Sequence, residues 1–374
     1  PARRRLAPPA APLRCHVPAS MNGELPAAAR RVADELLRRY GLGALLEAEV
    51  VSAGLLNQNL RAVTARGGFF LKGYRYSDPA PIAREHALMG FAAAHGVPVV
   101  TPLAGPGGAT FLRVGGRWWA VFPLVSDRQV EPADVTQAMA EALGETLGVI
   151  HTALAQFPER AAALFPAKML WDSAQASQEM AWYEAEITRR PALDPFDQHA
   201  LASFSYRRTL LAGGVPSPAA FADLPAQLLH GDYHERNVFF DAHGRVSAVI
   251  DWELACHGPR AWEIVRALDF ALRLPEDYET GGERLRAFLR GYARVAPLTV
   301  QECEAMPELY WAARVHSLWV FEEHYRKGNA RTDRLAMEDV ARLEWWARNR
   351  PALARTLVEA LRGAPRTGII TRPE

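Results

Sequence analysis

Apolar residues along this chain fall into short strand-like runs up to about residue 125 and into helical three- and four-residue spacings from about Pro132 onward. The first region opens with an amphipathic pattern over Pro26–Tyr40, with Val32, Leu36 and Leu37 on one face and Gly41 as a stop signal, and this predicts a helix. Leu60–Ala65 and Phe69–Tyr74 flank Arg66-Gly67-Gly68, while Thr110–Val114 and Trp118–Phe122 flank Gly115-Gly116-Arg117; both read as tight hairpins whose glycines supply positive φ. Between them Pro81–His95 reads as a helix closed by Gly96. The second region begins with Val135–Phe157, where Met139, Leu143, Leu147, Ile150 and Leu154 form one buried stripe. Further helices are expected near 175–190, 194–212, 261–274, 283–294, 304–327 and 335–361, interrupted by a strand-rich stretch over Gln227–Trp252. On the expected helix 304–327, Trp311, Val315, Leu318 and Trp319 read as core.

This pattern predicts an α+β chain of three parts: a flexible extension over 1–22, a small antiparallel-sheet lobe over 23–125 and a large helical lobe over 126–374. The extension carries five prolines and no periodic apolar pattern. Composition narrows the function classes. With 43 Lys and Arg against 42 Asp and Glu the net charge is +1, which offers no electrostatic case for nucleic acid or a membrane surface. No apolar run approaches the roughly 18 residues of a membrane helix. Three distant cysteines, Cys15, Cys256 and Cys303, fit neither a disulfide framework nor a zinc knuckle, so reduced thiols and a cytoplasmic location are expected.

The chemistry concentrates in residues 229–253, LHGDYHERNVFFDAHGRVSAVIDWE. Val238–Phe240 and Val246–Ile250 are short apolar strands joined by a polar turn; paired as a hairpin, they set Asn237 and Asp251 side by side at its open end. Asp232 lies five residues before Asn237. Two carboxylates and an amide at the mouth of a hairpin supply hard oxygen ligands for magnesium, with one carboxylate to accept a proton. Asx turns and caps would use the same residue types singly; the joint string makes a site the better reading.

HGDYHERN followed by IDWE resembles the aminoglycoside phosphotransferase and choline kinase-like family, whose fold is similar to that of protein kinases. The resemblance implies ATP, Mg2+ and a small-molecule hydroxyl acceptor, with Asp232 as catalytic base and Asn237 and Asp251 as metal ligands. Gly231 stands where protein kinases carry arginine, and Trp252-Glu253 where they carry Phe-Gly; both departures point to small-molecule acceptors. The upstream lobe carries matching parts. Ser52-Ala53-Gly54-Leu55-Leu56-Asn57 is similar to the family's phosphate-covering loop, with Gly54 and Asn57 as its cofactor-binding positions and one glycine where many members have two. Lys72, the only lysine before Lys168, and Glu85 match the phosphate-binding lysine and the glutamate that holds it. Backbone around Phe122 and Leu124 matches the hinge that binds adenine. Gly258-Pro259 is followed by Trp262-Glu263 where members commonly have Tyr-Asp, and the longer Glu263 would reach back to the catalytic loop. His151 reads as a packing residue.

Two other classes compete with this one. A metal hydrolase would use His230 and His234, yet the zinc-protease HExxH pattern is absent and a strand-to-loop context does not present i and i+4 side chains together. A catalytically weak, nucleotide-binding regulatory relative would keep the fold without Lys72, Asp232, Asn237 and Asp251 all in place. Acceptors remain open among aminoglycosides, aminoalcohols, homoserine-like and sugar-like molecules. A cationic acceptor would require an acidic pocket, for which Glu302, Glu304, Glu308, Glu322 and Glu323 are the candidates.

Overall fold

The computed structural model of the protein describes residues 25–51, 57–168 and 171–363. The expected extension over 1–22 lies outside them. The chain forms two compact units: residues up to Ile82 with Val100–Ser126, and Ala83–Val99 with Asp127 onward.

The first unit holds helix α1 (Ala27–Arg39) and strands β1 (Glu47–Val51), β2 (Gln58–Thr64) and β3 (Gly67–Gly73). Helix α2 (Ala80–Ala94) starts there, and β4 (Leu112–Val114) and β5 (Arg117–Pro123) complete the sheet in the order β1-β2-β3-β5-β4. All its pairings are antiparallel. Both expected hairpins form, and Gly115 and Gly116 turn the second at φ 56° and 81°, a conformation β-branched or bulky residues rarely adopt. β1 escapes the sequence pattern because Glu47-Ala48-Glu49-Val50-Val51 is a short edge strand whose apolar face is only Ala48 and a Val50 that stays 45% exposed. Ala29, Ala33, Leu36 and Leu37 make the buried face of α1, which packs on Leu60, Ala62, Leu71, Trp119 and Val121. Each fully buried leucine there contributes about 2 kcal/mol.

In the second unit α3 (Gln137–Leu154), α4 (Glu159–Ala162), α5 (Ser173–Thr188) and α6 (Pro195–Ala212) precede the strands β6 (Ala226–Leu229), β7 (Val238–Phe240), β8 (Val246–Val249) and β9 (Cys256–Pro259). Helices α7 (Arg260–Ala271), α8 (Leu274–Glu279), α9 (Glu283–Val295), α10 (Val300–His316), α11 (Trp319–Phe321), α12 (Asp333–Met337) and α13 (Asp339–Gly363) follow. α3 and α9 approach closely because Gly144 has no Cβ: one placed there would lie 1.9 Å from the Phe288 carbonyl oxygen.

The helix expected over 304–327 is broken. α10 starts earlier, at Thr299 and Glu302, which form a capping box, and stops at Ser317, whose ψ of 111° is extended. The chain resumes as α11 and a wide turn over Glu322–Arg326. That break resets the helical phase, so Leu318 remains in the core while Trp319 turns out to 46% exposure. Among the described residues Cys256 and Cys303 are buried free thiols. Among those residues too, no helix is long and apolar enough to cross a membrane.

Four helices of the second unit are tied by buried ions. Asp269 on α7 accepts from Arg342 Nη2 of α13 at 2.8 Å and from the Tyr310 hydroxyl of α10 at 2.7 Å. Asp339 on α13 pairs with Arg207 of α6 at 2.5 Å and Arg314 of α10 at 3.3 Å. Burial opposes the charge of Asp269, yet Arg342 and Arg314 outweigh it and hold the carboxyl below its usual range. A depressed folded pKa gives stability that is present above the unfolded value, about 3.9, and is lost as pH falls below it. Asp269→Ala strands two guanidinium groups and is expected to cost about 3–5 kcal/mol near neutrality. The variant should also lose less stability than the wild type on acidification; urea unfolding at both pH values checks the two statements.

Candidate active site

The strand-rich stretch builds its geometry from two short sheets. β6 pairs with β9, and β7 with β8. The β7–β8 hairpin is pinned on both edges: Val249 N–H donates to the Pro98 carbonyl at 2.7 Å, and Phe240 N–H to the Arg128 carbonyl at 2.8 Å. At its open end Ile250 N–H donates to the Asn237 carbonyl at 2.9 Å, which sets Asp251 one residue beyond that pairing. Asp251 itself has φ 60° and ψ 66°, a left-handed backbone that non-glycine residues seldom adopt and that Asp tolerates better than most.

Asp232 sits in the loop between β6 and β7 with both carboxylate oxygens engaged. Asn237 Nδ2 donates to its Oδ2 at 3.0 Å and to its main-chain carbonyl at 2.9 Å. His234 Nε2 lies 3.5 Å from the same Oδ2, and Arg266 Nη2 of α7 lies 2.5 Å from Oδ1. Burial works against the charge of Asp232, but Arg266 and then His234 outweigh it and hold the carboxyl well below the usual range. Asp232 is therefore ionised at neutral pH.

The loop backbone is fixed from beneath. Glu263, fully buried on α7, accepts the His230 N–H at 3.1 Å on one oxygen and the Gly231 N–H at 2.5 Å on the other. His151 Nε2 lies 2.9 Å from the first of these oxygens, and its Nδ1 lies 2.7 Å from the Tyr292 hydroxyl. Glu263 thus reaches the loop that leads into Asp232, and His151 packs behind it. Burial opposes the Glu263 charge, and His151 with the backbone donors holds its pKa down nonetheless. His230 Nε2 donates to the Ile250 carbonyl at 3.0 Å while Nδ1 accepts the Asp232 N–H at 3.2 Å, so one neutral ring joins the Asp232 loop to the strand end before Asp251. Burial lowers the His230 pKa and keeps the ring neutral. Gly231 has φ 83°, and a Cβ there would fall 1.9 Å from the Leu254 carbonyl oxygen. The arginine of protein kinases has no room at this position.

The remaining expected site residues are placed as follows. In the first unit Lys72 is buried on β3, opposite Asn59 and Ala120, with Nζ 4.9 Å from the centroid of the Tyr74 ring. Asn57 Oδ1 accepts the Arg75 N–H at 3.2 Å. Phe122 is buried on β5 opposite Phe70, and Leu124 N–H donates to the Gly68 carbonyl at 3.1 Å, which removes that donor from any ligand. Glu85 is buried on α2, in the second unit. Gly54 lies outside the described residues. Among the described residues no cluster of three or more His, Cys, Asp or Glu side chains is arranged to hold a metal ion.

A family model for the phosphotransferase enzyme family matches residues 47–298, two-thirds of the chain and all of the elements above that position Asp232 and Asp251. The chain belongs to this family. It is a small-molecule phosphotransferase that acts on hydroxyl groups. Curated relatives of this phosphotransferase include the homoserine kinase of Bradyrhizobium diazoefficiens, 30% identical over 298 residues that cover 76% of this chain and 83% of the relative. The homoserine kinase of Gluconacetobacter diazotrophicus is 31% identical over 275 residues, covering 73% and 79%. Among solved structures, an aminoglycoside phosphotransferase from Alicyclobacillus acidocaldarius aligns with a TM-score of 0.60 at 18% identity, covering 92% of this chain and 98% of its own. A spectinomycin phosphotransferase in complex with ADP and spectinomycin gives 0.59 at 13% identity, covering 89% and 97%. At such identities the likeness concerns the fold, which is the α+β kinase-like fold expected.

Arg266 is the residue sequence reasoning missed. Its signal was the spacing: three positions after Glu263 on one helix, it shares the face that meets the Asp232 loop. Glu263→Ala leaves the buried His230 and Gly231 N–H groups without an acceptor, at about 1–3 kcal/mol each. The expected outcome is a drop of at least about 2 kcal/mol in unfolding free energy together with a loss of turnover of about 10²-fold as the loop shifts. Denaturant titration and initial rates test both.

Proposed function

We propose that this protein transfers the γ-phosphate of ATP, as its magnesium complex, to the hydroxyl of a small homoserine-like acceptor. The observation that carries the reading is the convergence at the hairpin mouth. Asn237 touches Asp232 through its amide nitrogen, and its own carbonyl pairs with Ile250 beside Asp251. With that nitrogen turned to Asp232, the Asn237 amide oxygen is the atom that faces a cation. One amide oxygen and one carboxylate fit magnesium, which takes few protein ligands and completes an octahedron with phosphate oxygens and water. A metal that demanded a closed cage of protein ligands would not fit this donor set.

Asp232 orients the acceptor hydroxyl. The hydroxyl oxygen attacks the γ-phosphorus, the bond from that phosphorus to the β–γ bridging oxygen breaks, and ADP leaves with the electron pair. The hydroxyl proton passes to a carboxylate oxygen of Asp232 and then to solvent. A carboxyl with a depressed pKa is a weak base towards an alcohol, so Asp232 takes the proton late, once the oxygen–phosphorus bond has made it acidic. Bound magnesium would neutralise charge on the phosphates. Lys72 and Glu85 are assigned the phosphate-holding roles that the family resemblance implies, and the strand end around Phe122 that of the adenine contact, with the Leu124 N–H left out of it because Gly68 takes it.

The homoserine-like acceptor rests on the two curated relatives, which cover about three quarters of the chain at about 30% identity. The acid set required by a cationic acceptor supports the same choice, because most of it is committed elsewhere. Glu302 caps α10 and pairs with Arg260 at 2.6 Å, Glu308 pairs with Arg350 at 3.2 Å, and Glu322 and Glu323 pair with Lys327 at 3.0 and 2.8 Å. A phosphate-transfer screen over homoserine, sugars, aminoalcohols and aminoglycosides tests the acceptor; transfer confined to aminoglycosides refutes it. Asp232→Asn should lower transfer by about 10²- to 10⁴-fold. Magnesium–ATP should still raise the melting temperature of that variant by mass action, and a variant with the wild-type rate removes Asp232 from the base role.

A further inference from the structure

We propose that Arg266 recognises an anionic group, a carboxylate by preference, on the acceptor of this kinase, and that binding of this group draws the guanidinium off the Asp232 carboxylate. The proposal rests on the phosphotransferase reading and extends it to one side chain and one ligand chemistry.

Three features of the second unit carry it. First, Asp232 has no idle oxygen. Asn237 and His234 hold Oδ2, and Arg266 holds Oδ1. Oδ1 carries a single donor and keeps a second lone pair, so an approaching hydroxyl finds its place on that oxygen, beside the Arg266 fork. Asn237 is tethered to the Asp232 main chain as well, and His234 Nδ1 accepts the Arg236 N–H at 3.2 Å, so Arg266, with one hydrogen bond to Asp232, is the partner that a second anion can draw away.

Second, the Arg266 guanidinium is only half used. Nη2 donates to Asp232, but Nη1 is buried and has no hydrogen-bond partner. A buried donor without an acceptor is costly and rare, and a planar guanidinium fork is built to donate two parallel hydrogen bonds to a carboxylate. A carboxylate on the acceptor would satisfy Nη1 and compete for Nη2.

Third, the fork is flanked by aromatic rings. Arg266 lies 4.6 Å from the Phe270 ring centroid and 5.8 Å from that of Trp262, and Lys168 Nζ lies 5.0 Å from the same Trp262 ring. Flat rings keep the guanidinium in plane without taking up its N–H groups. Besides Asp232, the nearest acids on the same loop and helix are already engaged: Glu235 with His234 and Arg236, and Glu263 with the loop backbone. An anionic group next to the reacting hydroxyl meets the unpartnered Nη1, and an ammonium group meets the Arg266 charge.

The test uses matched ligands on the full-length protein. L-Homoserine and 3-aminopropan-1-ol share the hydroxyl and the amine and differ by the carboxylate. Calorimetric titration, with and without ADP, should show homoserine binding the wild type at least tenfold more tightly than the aminoalcohol. Arg266→Gln should erase that ratio. Arg266→Lys, which keeps the charge and the Asp232 pair but loses the fork, should restore part of it, and it carries the test if the Gln variant fails a melting-temperature check. A KM rise confined to carboxylate-bearing acceptors is the matching kinetic result. Equal losses for both ligands, or a wild type that prefers the aminoalcohol or fails to bind homoserine, overturn the proposal. Absence of phosphate transfer in the wild type, with the binding ratio intact, instead overturns the kinase reading and leaves the recognition site standing.

Discussion

One buried carboxylate governs the loop of this protein that leads into Asp232. Glu263 accepts two consecutive backbone N–H groups, from His230 and Gly231, and is itself held by His151, which is held by Tyr292. That chain of contacts runs from α9 through α3 and α7 into the loop that carries Asp232. A charge in such surroundings is tolerable because every oxygen has a donor, and the donors are thereby fixed in place. His230 carries the constraint onward to the segment of Asp251 through the Ile250 carbonyl. The position of the Asp232 carboxylate is therefore set by helix packing well away from it, including the close α3–α9 approach that Gly144 permits.

The electrostatics of the site are tuned towards an ionised, oriented Asp232 rather than a strong base. Arg266 and His234 stabilise its negative charge more than burial penalises it. Phosphoryl transfer through a loose transition state asks for that combination, since positioning and charge neutralisation contribute more than early proton abstraction. The Arg266 guanidinium on Asp232 also prevents an isolated buried charge, whose cost would be several kcal/mol.

The sequence pattern located most of the framework, for identifiable reasons. The hairpins carried glycines at positive-φ turns, and the helix of Val135–Phe157 carried a stripe that only one period explains; these are local signals, and α3 and the β2–β3 and β4–β5 hairpins appear within a few residues of expectation. β1 went unseen because an edge strand with one apolar face half exposed has no contrast to read. The continuous helix over 304–327 was a misreading, since the apolar spacing survives across Ser317 while the backbone does not, and Trp319 is consequently exposed. Acids proposed for a cation pocket were indistinguishable from acids engaged in caps and ion pairs, because partners such as Arg260 and Arg350 lie some forty residues away in the chain.

By itself the sequence determined the chemistry: the HGD string with its asparagine five positions later and the IDWE that follows are dense, local and specific, and residue type at fixed spacing on one hairpin is enough to read the family. Which donors surround Asp232 was decided only in three dimensions. Arg266 lies 34 residues from Asp232, and its guanidinium reaches the carboxylate because α7 packs under the loop through Glu263. Short-range spacing is written in the chain, whereas the partner of a buried charge depends on which helix face packs against which loop, and that is a property of the folded core.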